Sequence, residues 1–162
     1  MIKTLQISEK EAWDLAFNAL VNNNTSEDNA KEVADALISA EFDGQAGHGL
    51  SRIPSYVEQL TAGKVKGTEA PSIISSKGSV IRVDAQNGFA YPAISLALKE
   101  ITTTCKKFGI AAASITRSHH FGQAGRHVEI LADNGLIGLM FGNTPKAIPP
   151  WGGSKALFGT NP

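Results

Sequence analysis

The sequence predicts an α/β protein in which an N-terminal helical subdomain, residues 1–66, precedes a mixed α/β domain, residues 67–162. Three observations support this prediction. Apolar residues recur at helical spacing as far as Gly63. A segment containing glycine and proline follows, and beyond it short β-branched runs alternate with longer helical patterns. The length of 162 residues fits one domain, or one domain and a fragment of another.

The first two predicted helices each begin at a side-chain cap. Ser8 followed by Glu11 forms a capping box for a helix over about residues 8–21. Its apolar positions are Trp13, Leu15, Ala16, Ala19 and Leu20. Thr25 or Ser26 caps a second helix, which ends before Gly44. The apolar face of that helix comprises Val33, Ala34, Leu37, Ile38 and Phe42.

Ser51 is the predicted cap of a third helix that runs to Gly63. Pro54 falls in its first turn, where the missing N–H leaves no hydrogen bond unmade. The buried stripe of this helix is predicted to be Ile53, Tyr56, Val57 and Leu60.

The second half predicts strands and helices in alternation. Residues 73–75 and 80–83 are short strands joined at Lys77-Gly78, and a long helix runs from Pro92 to Gly109. A strand at 110–116 and a helix at 126–134 follow. Residues 136–141 form a nearly continuous apolar run, which predicts a strand buried on both faces. The last three elements fit a right-handed strand–helix–strand crossover.

Composition excludes several classes of function. Fifteen basic and fifteen acidic side chains balance, so neither nucleic acid nor an anionic membrane is an expected partner. The single cysteine, Cys105, cannot form an internal disulfide and indicates a reducing compartment. The sequence contains no signal-like apolar core and no run of roughly 18 apolar residues. We expect a soluble, cytoplasmic protein.

His48 and Arg52 lie where a small carboxylate could bind. The planar guanidinium of Arg52 matches a carboxylate with two hydrogen bonds, and the predicted start of the third helix adds positive potential there. His48, between two glycines, can exchange a proton near neutral pH. The alternative interpretation is a solvated loop histidine and an arginine paired with surface carboxylates.

The second candidate cluster is RSHHFGQAGRHVE, residues 117–129, which leaves a strand and enters a helix. This is where α/β sheets present backbone donors to anions. Gly122 and Gly125 allow close approach, Gln123 offers an amide, and Phe121 could lie against a flat ring. One histidine of the pair at 119 and 120 is equally well explained as a hydrogen-bonded packing residue.

A metal site and common nucleotide motifs fit the sequence less well. His120 and His127 lack the i, i+4 spacing of a helical zinc pair, and Cys105 lies inside a helix. GHGLSR has Arg52 where the third glycine of a Rossmann fingerprint should be. Two other classes stay open, a catalytically silent binding or dimerisation module and a metal-dependent hydrolase. The hydrolase would use His48, His119, His120 and His127.

Four motifs in order resemble the malate/L-lactate dehydrogenase family, whose cofactor domain is not a Rossmann fold. In their order along the chain they are DGQAGHGLSRIPSYVEQLTAGKV, VDAQNGFAYPA, SHHFGQAGRHVE and GGSKALFGTNP. Within the family the sequence is most similar to the branch of the Δ1-piperideine-2-carboxylate/Δ1-pyrroline-2-carboxylate reductases. The resemblance spans nearly all 162 residues.

The resemblance implies a homodimeric enzyme that uses NADPH or NADH to reduce a small 2-oxo acid or cyclic 2-imino acid. His48 resembles the proton donor of the family, whereas Arg52 and Thr160 resemble residues that contact the carboxylate substrate. The cofactor loop is matched by His120, Phe121, Gly122, Gln123 and Ala124. Members are roughly twice as long, which implies that the α/β cofactor domain is truncated here.

Two departures from the family pattern bear on activity. Gly47 stands where members usually have a serine before the histidine, so a relaying or binding hydroxyl is absent. The aspartate expected to orient the histidine would lie beyond Pro162. By analogy with serine-protease triads, losing such an orienting carboxylate costs on the order of ten-thousand-fold in rate. We therefore expect residues 1–162 alone to be inactive.

Overall fold

The computed structural model describes residues 6–162, and in this part of the chain five α-helices and a three-stranded sheet are formed, so the predicted mixed α/β class is confirmed. The helices are α1 Glu9–Val21, α2 Glu27–Phe42, α3 Ile53–Thr61, α4 Ala90–Phe108 and α5 Ala124–Asp133. The strands are β1 Ser72–Lys77, β2 Val80–Asp84 and β3 Ala112–Thr116.

The chain divides into two compact units, one ending at Gln123 and one comprising residues 124–162. The division predicted after residue 66 stays a prediction about domains. No helix in the described part of the chain combines the length and the hydropathy that crossing a bilayer requires.

Helices α1 and α2 start as the sequence predicts. Ser8 and Glu11 form the reciprocal capping box, and the Ser26 hydroxyl accepts a hydrogen bond from the amide of Asn29 at 3.4 Å. Phe42 is 70% exposed, so its predicted place on the buried face of α2 is wrong. The core of this region consists of Leu20, Ala30, Val33, Ala36, Leu37, Tyr56, Val65, Phe89 and Tyr91.

The start of α3 differs from the prediction. Ser51 does not cap the helix, because its hydroxyl donates to the carbonyl of Ala46 at 2.5 Å. Two consecutive 3-10 turns, Ala46–His48 and Leu50–Arg52, lead directly into the helix, and Arg52 occupies the cap position with helical dihedral angles. Pro54 lies in the first turn as expected.

The sheet joins an antiparallel hairpin to a parallel crossover. β1 pairs with β2 antiparallel, and β2 pairs with β3 in parallel, with Val83 opposite Ile115. Helix α4 connects the two parallel strands and ends at Gly109, whose φ of 81° is left-handed. The sheet and α4 bury Ile81, Val83, Ala85, Ala93 and Ala97 between them.

The loops that follow the two parallel strands are tied together. The carboxylate of Asp84, at the end of β2, receives two hydrogen bonds from the guanidinium of Arg117, which follows β3. The amide of His119 donates to the carbonyl of Gly88 at 3.2 Å. These bonds fix the loop 117–123 beside the N-terminal end of α4.

Residues 136–141 form no strand, so the predicted two-sided burial is wrong. Ile137, Leu139 and Phe141 are 98%, 80% and 83% exposed. A strand requires a neighbouring strand for its hydrogen bonds, and no strand among residues 6–162 pairs with this run, which passes beside α5 at Gly138. The predicted crossover through the helix at 126–134 is therefore not formed here, and the β2–α4–β3 unit contains the parallel connection instead.

Candidate functional site

A half-buried carboxylate holds the turn that carries His48. The Oε1 atom of Glu41, on α2, accepts a hydrogen bond from the amide of Leu50 at 2.7 Å. Gly49 is buried, and a Cβ atom there would overlap the Glu41 carboxylate. At Gly47 a Cβ atom would meet nothing within 4 Å. The glycine after His48 is therefore needed for close approach, whereas the glycine before it borders open space.

Arg52 extends back over this turn. Its Nε atom donates to the carbonyl of Gly47 at 2.5 Å, while its two Nη atoms have no hydrogen-bond acceptor within residues 6–162. The charge of Arg52 contributes to lowering the pKa values of His48, His119 and His120. The guanidinium and the three imidazoles therefore share one neighbourhood, and the roles predicted for His48 and Arg52 stay predictions.

The imidazoles pack against one another and against aromatic rings. His48 stacks on His120, with ring centroids 5.4 Å apart and planes 10° from parallel. His119 meets Tyr56 and Phe89 edge-on, at centroid distances of 5.0 and 5.7 Å. These contacts make His119 the more enclosed packing residue and bring His120 beside the predicted catalytic ring.

The hydroxyl of Tyr56 contacts His120, and the hydroxyl of Tyr91 contacts that of Tyr56. The hydroxyl of Tyr56, a residue that is 1% exposed, lies 2.8 Å from Nδ1 of His120 and 3.0 Å from the hydroxyl of Tyr91. Burial is the main cause that raises the pKa of Tyr56 well above its usual range, with Tyr91 contributing. The phenol is therefore protonated at every physiological pH.

Burial also keeps the imidazoles uncharged at neutral pH. It lowers the pKa of His119 to about 4, helped by the charges of Lys64 and Arg52. It lowers the pKa of His120 to about 4 as well, with Arg52 as the second cause. The pKa of His48 is lowered first by burial and then by Arg52. The resulting site combines a permanent cation with neutral imidazoles.

The loop between β3 and α5 supplies the remaining predicted residues of this unit. Gly122 has a φ of 71°, and a Cβ there would lie 2.7 Å from the hydroxyl of Tyr91, so a side chain is excluded. The ring of Phe121 stacks on His120 at a centroid distance of 6.3 Å. The amide of Gln123 is buried and donates to the Asp43 carboxylate at the end of α2.

Several buried polar atoms in this region lack protein partners. Within residues 6–162 no hydrogen bond reaches Nδ1 of His48, Nδ1 of His119 or Oε1 of Gln123. Buried polar atoms are rarely left unpaired, so this neighbourhood is suited to a polar ligand or water. No group of three or more His, Cys, Asp or Glu side chains suited to a metal ion is found in the part of the chain described.

The predicted site residues are divided between the two units. His48, Arg52, His120, Phe121, Gly122 and Gln123 all belong to the first unit. Ala124 begins α5 in the second unit. Thr160 also belongs to the second unit, where its hydroxyl lies 3.2 Å from that of Thr144.

The hydroxyl pair of Tyr56 and Tyr91 and the Glu41 anchor were absent from the sequence prediction of the site. Tyr56 was placed only on the buried stripe of α3. A signal was available, because a tyrosine on a buried stripe needs a hydrogen-bond partner for its hydroxyl. Neither partner could be named from the sequence, since His120 lies 64 residues away.

Comparison with known proteins identifies relatives over nearly the whole chain. The sequence model described as malate/L-lactate dehydrogenase matches residues 7–162. A (2R)-3-sulfolactate dehydrogenase (NADP(+)) of Chromohalobacter salexigens is 46% identical over 156 residues, covering 96% of this chain and 46% of that protein. A Δ1-pyrroline-2-carboxylate/Δ1-piperideine-2-carboxylate reductase of Pseudomonas syringae pv. tomato is 36% identical, covering 98% and 46%.

Solved structures show the same similarity. Malate dehydrogenase from Entamoeba histolytica superposes with a TM-score of 0.91 at 28% identity, covering 98% of this chain and 44% of that one. The Δ1-piperideine-2-carboxylate reductase of Pseudomonas syringae gives a TM-score of 0.81 at 34% identity, covering 98% and 48%. The 162 residues thus span a little under half the length of the relatives they match.

Proposed function

The chain belongs to the malate/L-lactate dehydrogenase family, and from this premise we propose that the protein is an NAD(P)H-dependent oxidoreductase of small 2-oxo acids or cyclic 2-imino acids. The observation that carries the proposal is the juxtaposition of Arg52 with His48 and His120. A fixed cation beside uncharged, partly buried imidazoles suits an organic anion that must exchange a proton.

Arg52 is proposed to hold the substrate carboxylate. Its Nε is anchored on the Gly47 carbonyl, which leaves the two Nη groups available for a carboxylate. Hydrogen bonds between charged groups contribute about 1.5–3 kcal/mol each to binding or stability. Fixing the acid by its carboxylate orients the adjacent carbon, which is how binding energy lowers a reaction barrier.

His48 is proposed to move the proton. Its lowered pKa makes the ligand-free ring neutral at pH 7, ready to accept the proton of a 2-hydroxy acid in the direction of oxidation. In the direction of reduction a bound carboxylate would offset the charge of Arg52, which favours the imidazolium that donates to the oxo group. A cyclic imine that arrives already protonated would need only orientation by the ring.

The loop 120–124 is proposed to contact the dinucleotide, and Thr160 to contact the substrate. The unpaired, buried Oε1 of Gln123 and Nδ1 of His119 support a polar ligand at this loop. When bound, NADPH or NADH supplies the hydride that, together with one proton, reduces the C=O or C=N bond. The name of the sulfolactate dehydrogenase relative, which specifies NADP(+), favours NADPH.

Among substrates, we propose that 2-oxo acids are preferred to cyclic imines. The relative named for sulfolactate is 46% identical, against 36% for the reductase named for cyclic imines. The open space at Gly47 beside His48 also supports a substrate with a second acidic group or an added water. The opposite preference stays open as the alternative, because both kinds of relative cover nearly the whole chain.

The test is a substrate panel with the purified full-length protein, not with residues 1–162 alone. Sulfopyruvate, oxaloacetate, pyruvate and Δ1-pyrroline-2-carboxylate are each mixed with NADPH or NADH, and nicotinamide absorbance is followed. We expect oxidation of NADPH with an acyclic 2-oxo acid. Turnover with the cyclic imine alone would reverse the proposed preference. If no substrate is reduced although a dinucleotide binds, the protein is a silent binding module.

The assembly and location are proposed by analogy with the family. A homodimer is expected, and sedimentation velocity of the protein measures it directly. A cytoplasmic location is proposed from the composition, and cell fractionation tests it.

A further inference from the structure

We propose that Tyr56 is a positioning residue that holds His120 as the neutral tautomer with its hydrogen on Nε2. The proposal is based on two hydroxyl contacts in series that end at the imidazole of His120. Tyr91 lies 3.0 Å from Tyr56, and Tyr56 lies 2.8 Å from Nδ1 of His120. The inference rests on the proposed function only in giving His120 a ligand to contact.

The direction of these hydrogen bonds follows from the strengths of the groups. A phenol hydroxyl is a better donor than an imidazole N–H, and a neutral imidazole nitrogen is a better acceptor than a phenol oxygen. Donation from Tyr56 to Nδ1 pairs the stronger donor with the stronger acceptor. The Tyr91 hydroxyl then donates to the oxygen of Tyr56, which strengthens the second bond.

The alternative polarity is less favourable at this place. If His120 donated from Nδ1, the hydroxyl oxygen of Tyr56 would accept that bond and the hydroxyl would donate its own hydrogen to Tyr91. The basic lone pair of the ring would then lie on Nε2, for which the described residues offer no donor. Burial, and then the charge of Arg52 at the cap position before α3, oppose protonation of the ring. With hydrogen on Nε2, both tyrosine hydroxyls donate and Nδ1 accepts, while the Nε2–H group, which has no acceptor among the described residues, is available to a ligand.

The buried hydroxyl itself argues for a role beyond packing. Tyr56 contacts Phe89 and the imidazoles through its ring, and a phenylalanine would fill that space. Burying a hydroxyl costs free energy unless it is hydrogen-bonded. The hydroxyl of Tyr56 is placed between one tyrosine and one histidine, so its bonds fix a ring that stacks on His48.

The two stacked imidazoles, His48 and His120, therefore have different roles. His120 keeps an N–H donor on Nε2 for an oxygen atom of a bound ligand. His48, whose Nδ1 has no partner within residues 6–162, is left as the ring whose protonation can change. If both imidazoles were positively charged, they would repel each other. Tyr56 opposes this because its hydroxyl donates to Nδ1 of His120, the nitrogen that would have to bind the additional proton.

Long-range 1H–15N spectra of protein labelled with 15N-histidine test the proposal, because they show which ring nitrogen carries hydrogen. The His120 signals are assigned by their loss in His120→Gln. In the unmodified protein at pH 7 we expect hydrogen on Nε2. In Tyr56→Phe the ratio of the two tautomers should fall about tenfold, the effect of one lost hydrogen bond. Amide spectra of the variant check that it is folded.

Tyr91→Phe is the matched variant. It removes a hydroxyl of the same kind from the same chain but leaves the bond between Tyr56 and His120, so the tautomer should change by no more than about twofold. Hydrogen on Nδ1 of His120 in the unmodified protein overturns the proposal without any variant. An unchanged tautomer in folded Tyr56→Phe overturns it too. Since this readout requires no turnover, it is independent of whether the substrate panel succeeds.

Discussion

The pKa of His48 depends on the turn that this residue shares with Arg52, four residues further along the chain. Burial lowers it first, and the guanidinium of Arg52 lowers it further. An arginine beside a histidine thus favours the unprotonated form of the ring, which can accept a proton. A bound carboxylate changes the local charge, so that substrate binding and proton transfer are coupled at the level of two side chains.

Arg52→Lys is expected to raise the KM for the 2-oxo acid about 10- to 100-fold, with a smaller change in kcat. Lysine keeps the charge but loses both the planar fork and the Nε bond to the Gly47 carbonyl. Steady-state kinetics of the full-length protein with saturating NADPH measure the effect. Arg82→Lys, an exposed position on β2, is the control and should leave KM unchanged. An equal KM in both variants would contradict the role given to Arg52.

Among the elements, the two 3-10 turns before α3 determine where the site lies. They occupy seven residues between α2 and α3, and Glu41 on α2 anchors their centre through the amide of Leu50. Within them the Nε atom of Arg52 donates to the carbonyl of Gly47, next to His48. A regular helix cap at Ser51, which the sequence predicts, would place the serine hydroxyl on a helix amide and not on the carbonyl of Ala46.

Gly49→Ala is expected to destabilise the protein by about 1–3 kcal/mol. The added methyl group would overlap the Glu41 carboxylate, so Glu41 must move and release the partly buried amide of Leu50. Urea unfolding followed by circular dichroism measures the loss. Gly47→Ala is the matched control, because a Cβ there meets nothing within 4 Å, and it should change the free energy of unfolding by less than about 0.5 kcal/mol. Equal losses would show that Glu41 does not anchor the turn.

For the whole molecule, the buried imidazoles link stability to pH. In the folded chain His119 and His120 have pKa values of about 4, below the value of 6.5 for an unperturbed histidine. Between these values the unfolded chain binds protons that the folded chain does not. The stabilisation is therefore complete above about pH 6.5 and is lost as pH falls toward 4.

The free energy of unfolding should accordingly decrease from pH 7 to pH 4.5. The slope is at most about 1.4 kcal/mol per pH unit for each ring, and less because both rings are partly exposed to solvent. Urea titrations at half-unit intervals measure it. The double variant His119→Gln, His120→Gln should flatten the curve over this interval. A slope that persists in the variant would assign the acid sensitivity to other groups.

The sequence by itself determined the elements whose signals are local. The capping box at Ser8, the glycine terminator at 109 and the turn at Lys77-Gly78 each depend on residues within one or two turns of chain, and each was predicted correctly. The pairing of His48 with Arg52 also depends on a separation of only four residues. For the same reason the family could be recognised from short motifs in order.

Only the tertiary structure decided which distant groups meet. The contact of Tyr56 with His120 and that of Asp84 with Arg117 join residues 64 and 33 positions apart, and no local pattern specifies such pairs. Burial is likewise a property of the assembled chain. The run at 136–141 has the composition of a buried strand, yet Ile137, Leu139 and Phe141 are exposed, because burial depends on which elements pack against a segment and not on its composition.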